Sequence, residues 1–202
     1  MPKIVSEQEK ENIKNAMYIK GIELIRKKGM KRVTVDDIAA AVQIAKGSFY
    51  TYYHSKEEFL YHIMKQNEQA LFDRILEIGS SSGHFKEKIT NALHEIYLAP
   101  DSLALYVQPS DMEYLLRKLP EPISREEQDK SKTNFQRTMN VLGIGDAQCD
   151  YSVLANLMDG LHFIASNQNQ YGEQGRAKAL SILVEAIAEY LSKCKQNSIK
   201  NG

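Results

Sequence analysis

Lys46, Gly47, Ser48, Tyr50, Thr51, Tyr52 and Lys56 fall within one short segment, with Thr34 a little upstream. Their types suit a polyanion. Hydroxyls donate to phosphate oxygens, ammonium groups add charge, and a glycine without a β-carbon lets backbone come close to a base edge or to another backbone. Lys46, Ser48 and Thr51 are candidates for base or groove contacts. Thr34, Tyr50, Tyr52 and Lys56 are candidates for phosphate contacts, which position a protein without reading sequence. Catalytic chemistry finds no comparable grouping. The chain has no GxSxG, P-loop, dinucleotide fingerprint or paired Glu/His arrangement, and Asp36 and Asp37 sit where carboxylates serve a helix N-terminus. The expectation is a non-enzyme without a cofactor. His84, His94 and His162 are dispersed, with no HxxxH or HExxH spacing, so no metal site is expected. Cys149 and Cys194 lack CxxC or Cys/His spacing and read as ordinary thiols of a reduced, cytoplasmic protein.

The elements that must position these residues read as helices throughout. No sustained apolar/polar alternation occurs, and the five prolines lie at or between helix-like segments. A first helix opens at Ser6 with Glu9 at capping-box spacing and stops at Gly29, after Arg26, Lys27 and Lys28 complement the negative end of its dipole. Thr34 caps a short second helix whose apolar residues Val35, Ile38, Ala39 and Val42 form one stripe. A third short helix covers about Ala45 to Tyr53, with Phe49 turned inward. Ser55 and Glu58 form a second capping box at the head of a long fourth helix that runs to about Ile78. Further helices are expected over about Phe85–Leu98, Asp111–Lys118, Ser124–Leu142, Ala147–Asn167 and Glu173–Lys195.

Two short helices wedged between longer ones have the layout of a helix-turn-helix, whose second short helix enters the major groove. The run Ile38-Ala39-Ala40-Ala41-Val42-Gln43-Ile44-Ala45-Lys46-Gly47-Ser48-Phe49-Tyr50-Thr51-Tyr52-Tyr53-His54-Ser55-Lys56-Glu57-Glu58-Phe59-Leu60 resembles the headpiece of the tetracycline-repressor (TetR) family. That family follows a pattern close to I-A-x-x-A-G-V-S-x-G-x-x-Y-x-H-F-x-x-K-E-x-L, and Ile38, Ala39, Ile44, Gly47, Tyr50, Lys56, Glu57 and Leu60 match it. Gly29 and Thr34 also fall at the family's helix stop and next cap. Three departures stand out. Gln43 occupies the turn position where Gly is common, so either Gln accepts a left-handed φ or the turn is built differently. Ala45 replaces the usual Ser cap, at a cost of about 1 kcal/mol. Tyr52 and Tyr53 replace His-Phe, and the added hydroxyl of Tyr53 has to reach solvent or a partner.

The resemblance implies an all-α protein, with a three-helix DNA-binding headpiece over residues 1–54 and a larger helical ligand-binding and dimerisation domain over 55–202. Charge is distributed accordingly. Lys and Arg balance Asp and Glu at 26 each overall, yet residues 1–60 hold eleven basic against eight acidic side chains. A headpiece this small reads few base pairs, so a homodimer on a two-fold-related operator of double-stranded DNA is expected. The last two helices are the expected interface, through Leu154, Leu157, Met158, Leu161, Leu180, Leu183, Val184, Ile187 and Leu191, with Ala155 and Gly160 allowing close helix approach. The family houses a small-molecule inducer pocket among its middle helices. Tyr97, Tyr106, Met112, Tyr114, Phe135, Met139, Met158, His162 and Phe163 are the corresponding candidates, with a chemistry suited to an apolar or amphipathic ligand. The function implied is a sequence-specific transcriptional regulator, a repressor released by its ligand, with the long fourth helix as lever. The alternative is an all-helical interaction or small-molecule-binding module without DNA binding. No stretch approaches the ~18 apolar residues a membrane helix needs, and Met1 to Lys10 are polar, so a cytoplasmic, non-membrane protein is expected.

Overall fold

The computed structural model describes residues 6–120, 137, 140–144, 149–166 and 172–200. Among the described residues there are eight α-helices and no strand: α1 (Glu7–Lys28), α2 (Val35–Ala41), α3 (Lys46–Phe49), α4 (Lys56–Ser80), α5 (Phe85–Tyr97), α6 (Pro109–Lys118), α7 (Tyr151–Ser166) and α8 (Glu173–Lys200). None is long and apolar enough to cross a membrane. The helix expected over Ser124–Leu142 lies mostly outside the described residues.

Helix boundaries follow local chemistry. The Ser6 hydroxyl accepts from Glu9 N–H at 3.1 Å while the Glu9 carboxylate accepts from Ser6 N–H at 2.8 Å, closing the expected box. Gly29 ends α1 at φ 82°, its N–H donating to the Ile25 carbonyl at 2.8 Å. A single 3-10 turn, Met30–Arg32, then leads to Thr34. At α4 the box differs from expectation. Ser55 Oγ accepts from Glu58 N–H at 3.0 Å, but the Glu58 carboxylate reaches back one residue further and accepts from His54 N–H at 2.7 Å. The chain therefore enters α4 with two consecutive residues pinned.

The question left open at Gln43 has a clear answer: it takes φ 58°. Its N–H donates to the Ala40 carbonyl at 3.3 Å and that of Ile44 to the Ala39 carbonyl at 3.0 Å. Those two bonds are a Schellman termination of α2, with Gln43 in the place that glycine usually fills. A left-handed side-chain residue costs about 1–2 kcal/mol, partly offset because glycine loses about 0.5–1 kcal/mol more chain entropy on folding. Gln43→Gly is therefore expected to stabilise the protein, by up to about 1 kcal/mol, in a urea titration. A midpoint that falls would show that the Gln43 side chain does more for the turn than its backbone costs.

The chain divides into two compact units, Met1–Asn67 with Tyr106–Ser124, and Glu68–Leu105 with Arg125–Gly202. This departs from a simple cut at residue 54 in two respects. The first turns of α4 join the headpiece because Phe59, Leu60 and Ile63 are fully buried in its core with Met17, Ile25, Ile38 and Phe49. Gly21, in the middle of α1, lets α4 come close, since a β-carbon there would stand 2.2 Å from Ile63 Cδ1 and 2.9 Å from Phe59 Cζ. The second respect is α6, whose polar side chains grip the headpiece as described below.

In the other unit, α5 and α7 both pack along α8. Leu161, Val184 and Ile187 are fully buried there, and Leu180 and Leu191 nearly so. These five residues, expected at a dimer interface, are instead spent holding the single chain together: an apolar stripe is satisfied by whichever neighbour is nearest, and here that neighbour is intramolecular. Leu154, Leu157, Met158 and Leu183 are half-buried. Gly160 does permit a close approach, but by α8 of the same chain, with Leu183 Cδ2 3.1 Å from where its β-carbon would be. The large apolar side chains left outside are Phe163 (69% exposed) and Val153 on α7 and Ile182 (59%) on α8.

Candidate nucleic-acid interface

The short helix α3 is held by its own aromatic residues. Phe49, fully buried, meets Phe59 edge-on at 5.8 Å between ring centroids, and Tyr53 at 6.0 Å. Tyr53 in turn packs edge-on to Phe59 at 5.1 Å. Burial, with the Glu58 and Glu11 carboxylates nearby, pushes the Tyr53 phenol up to about 12. A four-residue helix with no side-chain cap at Ala45 cannot stand alone. This aromatic wedge fixes it, and by helical register turns the opposite side outward.

On that outer side stand Lys46, Gly47, Tyr50 and Thr51, all exposed, with Ser48 and Tyr52 half-buried at the edge. Tyr50 is 52% exposed although its ring touches Phe49 edge-on at 5.3 Å. An exposed aromatic on a short helix is thus held in place by a buried neighbour. Lys46 Nζ pairs with Asp36 Oδ2 at 2.8 Å, and that hydrogen bond and charge raise its pKa. Gly47 has open space where a β-carbon would be. Nothing else in the chain crowds this position.

Thr34 caps α2 as expected, and Lys56 turns its ammonium group back onto the protein. The Thr34 hydroxyl donates to Asp37 Oδ2 at 2.8 Å and accepts from Asp37 N–H at 3.2 Å, so it serves as the helix cap. Lys28 Nζ meets the same carboxylate at 2.5 Å, and Lys28 first, then Thr34, holds Asp37 down to about 2 from an ordinary 3.8. A carboxyl depressed on folding stabilises above its unfolded value and stops doing so as pH falls through its folded one. Asp37→Asn should lower the melting temperature at neutral pH, and the gap from wild type should close between about pH 4 and about pH 2. A gap independent of pH would mean that the charge is immaterial.

Lys56 donates to the Lys31 carbonyl at 3.3 Å and lies 6.0 Å from the Tyr114 ring centre, its side chain only 19% exposed. Lys31 approaches the same ring at 5.9 Å and pairs with Asp111 at 3.0 Å. The Tyr114 hydroxyl donates to Glu57 at 3.3 Å, and burial, then Glu57, raises its pKa. At the end of α1, Arg26 stacks over Tyr106 at 4.7 Å and donates to its hydroxyl at 3.3 Å. Tyr106 and Tyr114 were candidates for a ligand pocket. They prove to be the cation–π and hydrogen-bonding teeth by which the segment carrying α6 grips the headpiece, and Met112 lies on the same helix. Sequence reasoning missed this clasp, because its partners stand up to 80 residues apart.

Of the remaining ligand candidates, Phe135 and Met139 lie outside the described residues, and Phe163 is on the surface. Tyr97, Met158 and His162 come together in the other unit. The Tyr97 hydroxyl donates to Met158 Sδ at 3.2 Å, and burial pushes that phenol up to about 12. His162 follows Met158 by one turn, and its Nδ1 is buried with no hydrogen-bond partner among the described residues. Nearby, Arg74 pairs with Asp101 at 2.9 Å and Glu95 at 2.8 Å, tying α4 to α5 and the segment after it.

Comparison with known proteins agrees with this geometry. The family described as bacterial regulatory proteins, tetR family, matches residues 20–63, from mid-α1 into α4. No curated protein matches the sequence. Among solved structures, a putative transcriptional regulator described as a TetR/AcrR family member is similar at 18% identity, over 90% of this chain and 99% of that one, with a TM-score of 0.60. A ketosteroid transcriptional regulator of Mycobacterium tuberculosis is similar at 16% identity, over 86% and 93% of the two chains, with a TM-score of 0.57. A fatty acid degradation regulator from Bacillus halodurans reaches 16% identity over 89% and 94%, with a TM-score of 0.57. Identities this low speak for the fold, and the match over the headpiece speaks for its DNA-binding domain. Residues 20–63 thus match the tetR-family headpiece, and the chain as a whole shares the all-helical fold of such transcriptional regulators.

Proposed function

We propose that the protein is a homodimeric repressor that binds a two-fold-related operator through α3 and is released by a small apolar or amphipathic ligand. The observation that carries the DNA contact is the outward face of α3: Lys46, Gly47, Tyr50 and Thr51 exposed on a helix anchored by Phe49. Lys46, Ser48 and Thr51 are assigned to the groove, Tyr50 and Tyr52 to phosphates, and Gly47 to close approach of the duplex. Thr34 and Lys56 are assigned to flanking phosphates. Dimerisation is assigned to the outer faces of α7 and α8, around Phe163 and Ile182, in place of the buried residues of the same helices. The ligand is assigned to the neighbourhood of Tyr97, Met158 and His162, where a buried Tyr97–Met158 contact lies one helical turn from a buried ring nitrogen with no hydrogen-bond partner among the described residues. A ligand releases DNA only by favouring a headpiece arrangement that does not fit the operator. The lever is α4, which is continuous from Lys56 to Ser80.

Duplexes selected from a random pool and titrated by fluorescence anisotropy at two salt concentrations test the reading. Wild type should bind a selected two-fold site far more tightly than random duplex and lose affinity with salt. Tyr50→Phe keeps the ring packed on Phe49 and removes one hydroxyl, so it should weaken binding to all duplexes alike by about 0.5–1.5 kcal/mol. Gly47→Ala meets nothing inside the protein. It should leave the melting temperature unchanged or raised while lowering affinity. Binding with neither salt dependence nor a preferred site would replace this reading with that of a helical interaction module.

A further inference from the structure

The two cysteines, 45 positions apart in the chain, are brought to one place. The Tyr190 hydroxyl accepts from Asp150 N–H at 2.8 Å and donates to the Asp150 carbonyl at 3.3 Å, which pins the segment before α7 to one turn of α8. Cys149 adjoins the pinned residue. Cys194 follows Tyr190 by one helical turn on the same side of α8. The two sulfurs therefore meet beside the Tyr190 hydroxyl, as hydrogen-bonded thiols. Burial, then the neighbouring Cys194, pushes the Cys149 thiol up to about 12.

We propose that Cys149 and Cys194 are an intramolecular disulfide site, closed by a peroxide in the folded protein and reopened by a thiol reductant. Cys149 is half-buried and Cys194 buried, so the oxidant meets Cys149 first. The Cys149 sulfur attacks one peroxide oxygen, the O–O bond breaks, and water leaves, giving a sulfenic acid. Cys194 sulfur then attacks the Cys149 sulfur, the S–O bond breaks, and a second water leaves. Two thiols and one hydrogen peroxide become one disulfide and two waters, with two electrons passing from sulfur to oxygen. Because burial keeps the Cys149 thiol protonated at rest, the bond forms slowly compared with an exposed thiolate, and the pair stays reduced until oxidant persists. Once closed, it staples the start of α7 to the C-terminal half of α8.

Intact-mass and non-reducing peptide analysis of the folded full-length chain, treated with hydrogen peroxide and then alkylated, tests this. The expected result is loss of two hydrogens and one linked peptide pair, Cys149 with Cys194, reversed by dithiothreitol and accompanied by a raised melting temperature. Cys149→Ser should leave Cys194 reduced, and Cys194→Ser should leave a dimedone-reactive sulfenic acid on Cys149. Phenylarsine oxide, which needs two adjacent thiols but no oxidant, should form a single bridged adduct with native wild type and with neither variant. This second probe keeps the geometry testable if Cys194→Ser fails to fold. Oxygen added to Cys149 while Cys194 remains alkylatable, a linkage between chains, or no bridged arsenical in the native protein would each overturn the proposal.

Discussion

Phe49→Ala is expected to cost about 3–5 kcal/mol in the first transition of a urea melt, the range for truncating a fully buried aromatic. The ring contacts Tyr50, Tyr53 and Phe59, and it is the only buried residue within α3. A domain's whole stability is about 5–15 kcal/mol, so the headpiece would be left marginal. DNA binding should vanish with it at every salt concentration, although Phe49 touches no duplex in the proposed interface. The contrast with Tyr50→Phe is the point of the experiment. One variant loses binding with the fold, the other loses part of its binding and keeps the fold. If Phe49→Ala melted like wild type, the aromatic wedge would not be what holds α3.

Phe163→Asp has the next largest expected effect, on assembly rather than folding. Its side chain is 69% exposed in the single chain, so most of its surface is open to a second copy. In an isologous interface each copy contributes the residue, so its loss is counted twice. Burying a phenylalanine is worth about 1.5–3 kcal/mol, and two copies make about 3–6 kcal/mol, a roughly hundred- to ten-thousand-fold weaker dimer. Sedimentation should show a monomer at concentrations where wild type is dimeric, with an unchanged melting curve for the isolated chain. Affinity for a two-fold site should fall sharply while weak binding to random duplex persists. A dimer of unchanged strength would move the interface away from this face of α7.

How much of this was legible beforehand varies by element. Local chemistry was readable: the Ser6 and Glu9 box, the Thr34 cap, the missing cap at Ala45 and the inward Phe49 each depend on residues within one or two turns. Gln43 was half-readable. Its position marked a residue that had to be glycine-like, and only the backbone shows that glutamine takes the left-handed conformation itself.

Side-chain partners across long stretches of chain were not readable. Lysine and tyrosine have the same composition whether they face phosphate or each other, so nothing in Lys56 or Tyr114 alone announces that they meet. The apolar stripes of α7 and α8 likewise state that a face must be covered, without stating by what. Residue types and short spacings determined that this chain forms helices, where they begin and end, and that a DNA-binding headpiece lies near its N-terminus. Tertiary structure decided which stripe became core and which stayed outside, that α6 belongs with the headpiece, and that two distant thiols meet. The reason is physical: caps and turns are settled within about one helical turn by backbone hydrogen bonds, whereas burial and ion pairing depend on which distant surfaces the folded chain brings into contact.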